Sequence, residues 1–231
     1  MQRIRHRRFS PAGVLLLGLA LLPASASPAQ AGTTQLEPPL SELTPGRIVI
    51  SRTTGFQVIS DGRTNPFVIP HGGRLVAYTL KLAKARSFSP VTFNQLSNRF
   101  GGEPQARISV LRPTHPRTAG SEPMYTLAGQ SPTVRLQPHF GRTVTFRLRR
   151  PLLVRKGWIV GLSTPTWAPV LSMCYCRRRF AWRTARIPPC QRRQTWQEEQ
   201  SAHTQLGTTQ RYACLYRGGA LAYRATIKYR S

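Results

Sequence analysis

Short runs in which apolar and polar residues alternate recur from residue 47 to the end of the chain, separated by glycine- or proline-containing turns. Alternation at every second position is the signature of a half-buried strand. Strands are therefore expected at 47–51, 56–60, 66–69, 74–82, 106–112, 124–128, 133–137, 143–149, 158–163, 169–173, 180–184, 211–216 and 220–229. The pattern is cleanest in three of them. In 74–82, Val76, Tyr78, Leu80 and Leu82 share a face. In 143–149, Val144, Phe146 and Leu148 face in while Thr145, Arg147 and Arg149 face out. In 220–229, Leu221, Tyr223, Ala225 and Ile227 alternate with Ala222, Arg224, Thr226 and Lys228. None of these stretches has the three-and-four spacing of a helix, and no helix longer than two turns is expected. Gly72-Gly73, Gly101-Gly102, Gly141, Gly157 and Gly218-Gly219 fall between runs, and Ser60-Asp61-Gly62 reads as a further turn. The expected fold is all-β, an antiparallel β-sandwich of jelly-roll type with a long disulfide-stapled loop near the C-terminus.

The first 31 residues follow a different pattern. Arg3, Arg5, Arg7 and Arg8 precede an apolar run at 13–22, and small-residue sites follow at Ala24-Ser25-Ala26 and Ala29-Gln30-Ala31. This is the layout of an export signal, with the mature chain beginning near Gly32. The run is about half the roughly 20 residues that span a bilayer. Residues 32–45 (GTTQLEPPLSELTP) read as a Pro-rich linker, and 46–231 as one β-sandwich domain. A domain of that size buries roughly 70% of its unfolded surface and holds a core unaided. The expected location is secreted or extracellular, with association to the cell wall.

Composition narrows the chemistry. The 231 residues carry 34 Lys+Arg against 7 Asp+Glu, a formal net charge of +27, and removing the four arginines of the leader leaves +23. Only Lys81, Lys84, Lys156 and Lys228 are lysines, and Asp61 is the only aspartate. Carboxylate chemistry thus has little material. Glu198 and Glu199 are adjacent on the polar stretch QTWQEEQ, which reads as a solvated loop or short helix and not as a glycosidase pair. There is no G-x-S-x-G, and Gly161-Leu162-Ser163-Thr164-Pro165 does not replace it. His71, His115, His139 and His203 are isolated and read as loop residues. No Gly-rich phosphate loop joins a strand to a helix. No enzyme activity and no cofactor are expected.

Four cysteines, Cys174, Cys176, Cys190 and Cys214, lie in the C-terminal third. Their spacing admits a four-thiolate zinc site, but an exported chain meets oxidant, which converts an even set to disulfides. A Cys190–Cys214 bond is expected, stapling the polar loop 177–210. A bond between Cys174 and Cys176 would close a very small ring, so these two are left to pair together, stay free, or link chains.

The basic signal is the strongest one left. Between 176 and 196, Arg177, Arg178, Arg179, Arg183, Arg186, Arg192 and Arg193 are interleaved with Phe180, Trp182 and Trp196, with no acid among them. Guanidinium planes and indole faces suit anionic polymers such as cell-wall polymers, acidic glycans or nucleic acid, bound without sequence preference. A second outward row, Arg147, Arg149, Arg150, Arg155 and Lys156, flanks a strand–turn–strand. The competing expectations are plain solubilising charge with Trp182 in the core, and a carbohydrate-binding jelly roll or minor glycan-active enzyme using Trp158, Trp167, Trp182 and Trp196.

The export signal, the central SPTVRLQPHFGRTVTFRL and GWIVGLSTPTWAPVL, and Tyr212-Ala213-Cys214-Leu215-Tyr216 leading into LAYRATIKY resemble secreted actinobacterial single-domain β-sandwich proteins without an assigned function. The resemblance covers residues 45–231. It implies the same fold and location, and carries no catalytic motif.

Overall fold

A computed structural model describes residues 32–36, 38, 40–46, 48–114, 122–174, 178–185, 190 and 202–229. The expected export signal lies outside them. The strands, in chain order, are β1 (Thr33–Leu36), β2 (Ile50–Ser60), β3 (Arg63–Thr64), β4 (Gly73–Lys81), β5 (Gln105–Pro113), β6 (Met124–Gln130), β7 (Val134–Arg135) and β8 (Thr143–Val154). They continue with β9 (Ile159–Ala168), β10 (Leu171–Met173), β11 (Phe180–Thr184), β12 (Thr209–Arg211), β13 (Cys214–Arg217), β14 (Gly219–Leu221) and β15 (Tyr223–Tyr229). One helix, α1 (Pro90–Phe100), stands between β4 and β5. Every strand pairing is antiparallel.

Two sheets dominate. A four-stranded sheet has the order β1-β15-β4-β8, and a larger one runs β12-β6-β5-β9-β2-β11-β13 with β3 and β7 appended, while β10 pairs with β14. The end strands β12 and β13 are joined by Tyr212 and Ala213 alone. Three peptide units span at most about 11 Å, so the larger sheet curls until its two edges approach. Its outer side packs against the four-stranded sheet, with Phe67 stacked on Tyr223 at 4.2 Å between centroids and Tyr223 Oη donating to Val160 O at 2.9 Å. Leu75, Tyr78, Leu80, Ile108, Val110, Leu162 and Ile227 fill the space between.

The alternation in the C-terminal strand is borne out from Tyr223 onward and fails at Ala222, which is buried with Leu40, Leu43 and Phe180 instead of facing out. Leu221, Tyr223, Ala225 and Ile227 are fully buried, whereas Arg224 and Thr226 are half-buried and Lys228 is exposed. Asp61 (φ 50°) and Gly62 (φ 78°) form a two-residue turn between the paired Ser60 and Arg63, the left-handed geometry that tight hairpins favour. Other boundaries differ from the expected ones. The strands at 47–51 and 56–60 are one strand, β2, interrupted at Arg52 (φ 41°) by a bulge against β9. Residues 66–69 form only an isolated bridge, Val68 to Ile159. The runs at 211–216 and 220–229 each split in two. In β4, Leu75 and not Val76 is buried, because Val76 has no partner on either neighbouring strand and shifts the alternation by one. Residues 32–45 do more than link: β1 pairs with β15, and Leu36, Leu40 and Leu43 are buried.

The helix α1 was also unexpected. Ser89 caps it by accepting from Thr92 N at 3.1 Å, Pro90 opens it, and Gly101 closes it at φ 82°. Only Phe93, Leu96 and Phe100 form its apolar side, packed near Trp167. That short stripe is easily missed in a polar stretch.

Candidate polyanion-binding surface

Of the expected site in 176–196, Cys176, Arg177, Arg186, Arg192, Arg193 and Trp196 lie outside the described residues. Arg178 is exposed in the turn before β11. Arg179 is already engaged. Its Nε and Nη2 donate to Asp61 Oδ1 at 2.9 and 2.5 Å, and Nη2 lies 3.6 Å from Glu42 Oε2. Hydrogen bonding to Asp61 raises the guanidinium pKa further above its ordinary value. The stretch is free of acids in sequence, but the β2–β3 turn brings Asp61 to it from 118 positions away. Arg183 lies half-buried along β11, where Nη1 donates to Tyr212 O at 2.9 Å and Ala213 O at 3.3 Å. Trp182 is 6% exposed, and its ring stacks on Tyr216 at 4.9 Å. Gly55 lies against it closely enough that a Cβ there would sit 3.1 Å from the indole. Trp182 is a core residue, as the solubilising-charge reading had it, and Arg179 and Arg183 have protein partners.

Of the other tryptophans that motivated a sugar-stacking reading, Trp167 is enclosed as well. Trp167 is 0% exposed and donates Nε1–H to Gly102 O at 3.1 Å. Trp158 is half-buried with the Arg155 guanidinium 5.8 Å from its ring centre.

The second expected row has a different setting. β8 is an edge strand of the four-stranded sheet, and its inward residues Val144, Phe146 and Leu148 are half-buried while Arg147 and Arg149 are exposed, as the alternation predicted. Arg147 pairs with Ala77 but Leu152 pairs with Leu75, so residues 148–151 face the single β4 residue Val76. This wide bulge carries Arg149 and Arg150 at the sheet edge and places Pro151, which has no N–H to give, where no ladder bond is required. Arg155 and Lys156 follow in the β8–β9 turn, closed by Gly157 at φ 81°.

Carboxylates are scarce and already taken. Among the described residues they are Glu42, Asp61, Glu103 and Glu122, and each lies within 4 Å of an arginine: Arg179 for the first two, Arg135 at 3.9 Å and Arg211 at 3.3 Å. None of them pairs with the row 147–156. Sequence reasoning did not place two further cations on this sheet. Arg74 in β4 and Lys228 in β15 are exposed and directly opposite each other. No acid occurs in β1, β4, β8 or β15.

Inside the curled sheet lies a polar network that was also not foreseen. Ser109 Oγ and Ser163 Oγ are 2.7 Å apart, and Ser163 Oγ and Thr54 Oγ1 2.6 Å. His203 N–H donates to Thr54 Oγ1 at 2.9 Å, and its Nδ1 lies 3.2 Å from Tyr212 Oη. All five residues are 0% exposed, so His203 is a buried structural residue and not a free loop histidine. Burial lowers its pKa and raises that of Tyr212 well above the usual tyrosine value. The hydroxyls are satisfied by one another and enclosed, which is the arrangement of a structural network.

The expected disulfide is present, with Cys190 and Cys214 Cα atoms 5.2 Å apart. Cys174 is disulfide-bonded too, which removes the free-thiol alternative for it, and its partner falls outside the described residues. A shallow pocket of about 220 Å³ beside Cys174 is lined by Glu42, Arg179 and Phe180, where the only ion pair is the one already described.

No protein-family model matches the chain, and neither a curated protein nor a solved structure matches it.

Proposed function

We propose that the protein is a secreted, non-catalytic β-sandwich that attaches to anionic polymers of the cell envelope or its surroundings. The observation that carries this reading is the row Arg147, Arg149, Arg150, Arg155 and Lys156: exposed, on a rigid edge strand and its turn, with every described carboxylate paired elsewhere. Uncompensated arginines on a fixed scaffold create a local field that attracts and holds polyanions. The leader-like N-terminus, the disulfide Cys190–Cys214 and the resemblance to secreted actinobacterial proteins point to the same compartment. No described helix is long and apolar enough to cross a membrane.

Binding through cations releases counterions from the polymer and must weaken with salt. Affinity of the exported protein for polyanions such as polyphosphate, heparin or duplex DNA is expected to fall steeply as salt rises. With about four to six phosphate contacts the drop for duplex DNA is on the order of a hundredfold or more from 50 to 200 mM salt. Fluorescence anisotropy over a salt series measures it. A protein that binds none of the three polymers, or binds them without salt dependence, is not an anionic-polymer module.

A further inference from the structure

The outward face of the four-stranded sheet has a shape as well as a charge. Its rows can be read from the register: Lys228 opposite Arg74, Thr226 opposite Ala77 opposite Arg147, and Arg224 opposite Thr79 opposite Thr145. Along the middle strand β4 the central side chains are short, Ala77 and Thr79. Although they point away from the core they are only 7% and 8% exposed. The long ones stand around them: Lys228 on β15, Arg147, Arg149 and Arg150 on β8, and at the two ends of β4 Arg74 and Lys81, whose Nζ donates to Leu40 O at 2.9 Å. The result is a short trough with a threonine floor and cationic walls, closed at the Lys81 end by residues 40 and 41. Its flanking backbones are two interstrand steps, about 9–10 Å, apart.

We propose that this trough binds one linear, phosphate-backbone polymer chain laid along β4. The inference rests on the anionic-polymer reading above and gives it a site and a ligand class. The width admits a single chain and is far too narrow for a nucleic-acid duplex to settle into. The donors choose phosphate. Thr79 Oγ1 and Thr145 Oγ1 are 2.8 Å apart, so one hydroxyl donates to the other and the second keeps its own hydrogen to donate upward from the floor. Arginine and lysine donors come from the two sides. Each internal phosphoryl unit of such a chain projects two non-bridging oxygens at a tetrahedral angle, one toward the floor and one toward a wall, whereas a carboxylate holds both oxygens in the plane of its carbon. The trough has no exposed aromatic residue on its outward rows, so it offers no platform for stacking bases.

The test uses long-chain polyphosphate as the probe. R74S/R147S/K228S, the wall variant, removes two wall cations and the arginine at the end of the floor strand, and R63S/R86S/R112S removes three exposed cations from other elements for the same change in net charge. The wall variant is expected to lose at least about tenfold in affinity at physiological salt and to flatten the log–log salt slope by about 2, with the control within about threefold of wild type. R74K/R147K, which keeps the charge, is expected to stay near wild type and shows that the face tolerates substitution. Equal weakening by the wall and control variants overturns the site in favour of diffuse charge. Displacement of polyphosphate by duplex DNA or by polygalacturonate at equal charge concentration, as effectively as by polyphosphate itself, overturns the single phosphate chain. In both cases the protein remains a polyanion binder. Failure of the wild type to bind any of the three polymers overturns that broader reading along with this one.

Discussion

His203 shows how much a single side chain's surroundings change its chemistry. Its Nε2 lies 2.9 Å from Thr208 O, a carbonyl that can only accept, so the ring proton sits on Nε2 and Nδ1 accepts from Tyr212 Oη. A second proton would place a cation in this enclosed site, where burial disfavours charge, and would require the Tyr212 hydroxyl to turn from donor to acceptor. Tyr212 and Tyr125 are the titratable neighbours on that side, Arg183 donates to Tyr212 O, and no carboxylate is recorded in the network. The folded pKa is therefore below the ordinary 6.5, and the unfolded chain takes up a proton that the folded chain refuses. Stability from this group is complete above about pH 6.5 and is lost as pH falls toward the lower folded value. The urea midpoint of the wild type is expected to drop between pH 8 and pH 5. His203→Gln, which cannot titrate, is expected to lower stability at pH 8 and to show a smaller drop. An equal drop in both proteins would assign the acid sensitivity to other groups.

At the scale of elements, the β4–β15 ladder positions Arg74 and Lys228, and it depends on close backbone approach at its end. Gly73 lies against the Lys228 carbonyl so tightly that an added Cβ would collide with backbone, while the same addition at Gly72 would meet Val154 O at an ordinary 3.7 Å. Gly73→Ala must therefore push the strands apart, and is expected to cost about 1–3 kcal/mol, whereas Gly72→Ala stays within about 0.5 kcal/mol of wild type. Denaturant unfolding of the two variants side by side measures the difference. The same comparison reports on the site, since moving β15 moves Lys228. The bulge in β8 acts in the other direction: by carrying four residues past Val76 it projects Arg149 and Arg150 from the sheet edge, which also blunts that edge against pairing with another chain.

The whole molecule combines a curled sheet, a second sheet packed on it, and a C-terminal loop held at two points. Cys190–Cys214 closes a loop with a sequence separation of 24, and His203 ties the same loop to β2 through Thr54. Closing a loop of that length stabilises the fold by about 3 kcal/mol, chiefly by restricting the unfolded chain. Cys190→Ser/Cys214→Ser is expected to lower the unfolding free energy by that amount while the sheets remain, as followed by denaturant titration and far-ultraviolet circular dichroism. Loss of all β structure at room temperature would show the loop to be a larger part of the fold than its contacts indicate. Charge also organises at this scale: the described carboxylates sit beside Arg179, Arg135 and Arg211, and the charged residues within the strands of the four-stranded sheet are all cations.

The sequence by itself determined what depends on neighbours in the chain. The buried set Leu221, Tyr223, Ala225 and Ile227, the Asp61-Gly62 turn, the outward Arg147 and Arg149, and the strand at 180–184 follow from period-two alternation and turn stereochemistry. The Cys190–Cys214 pair was also readable, from the count and spacing of thiols in a chain whose N-terminus reads as an export signal. Tertiary structure decided everything that depends on register and bulges. It brought Asp61 and Glu42 to Arg179, enclosed Trp167 and Trp182, and put Lys228 opposite Arg74 beside Arg147. It also buried His203 among hydroxyls from four separate segments. An unpaired Val76 shifts which residues face out, and a sheet that curls joins strands remote in sequence. Whether a cation or an indole is available to a ligand therefore cannot be read from the segment that carries it.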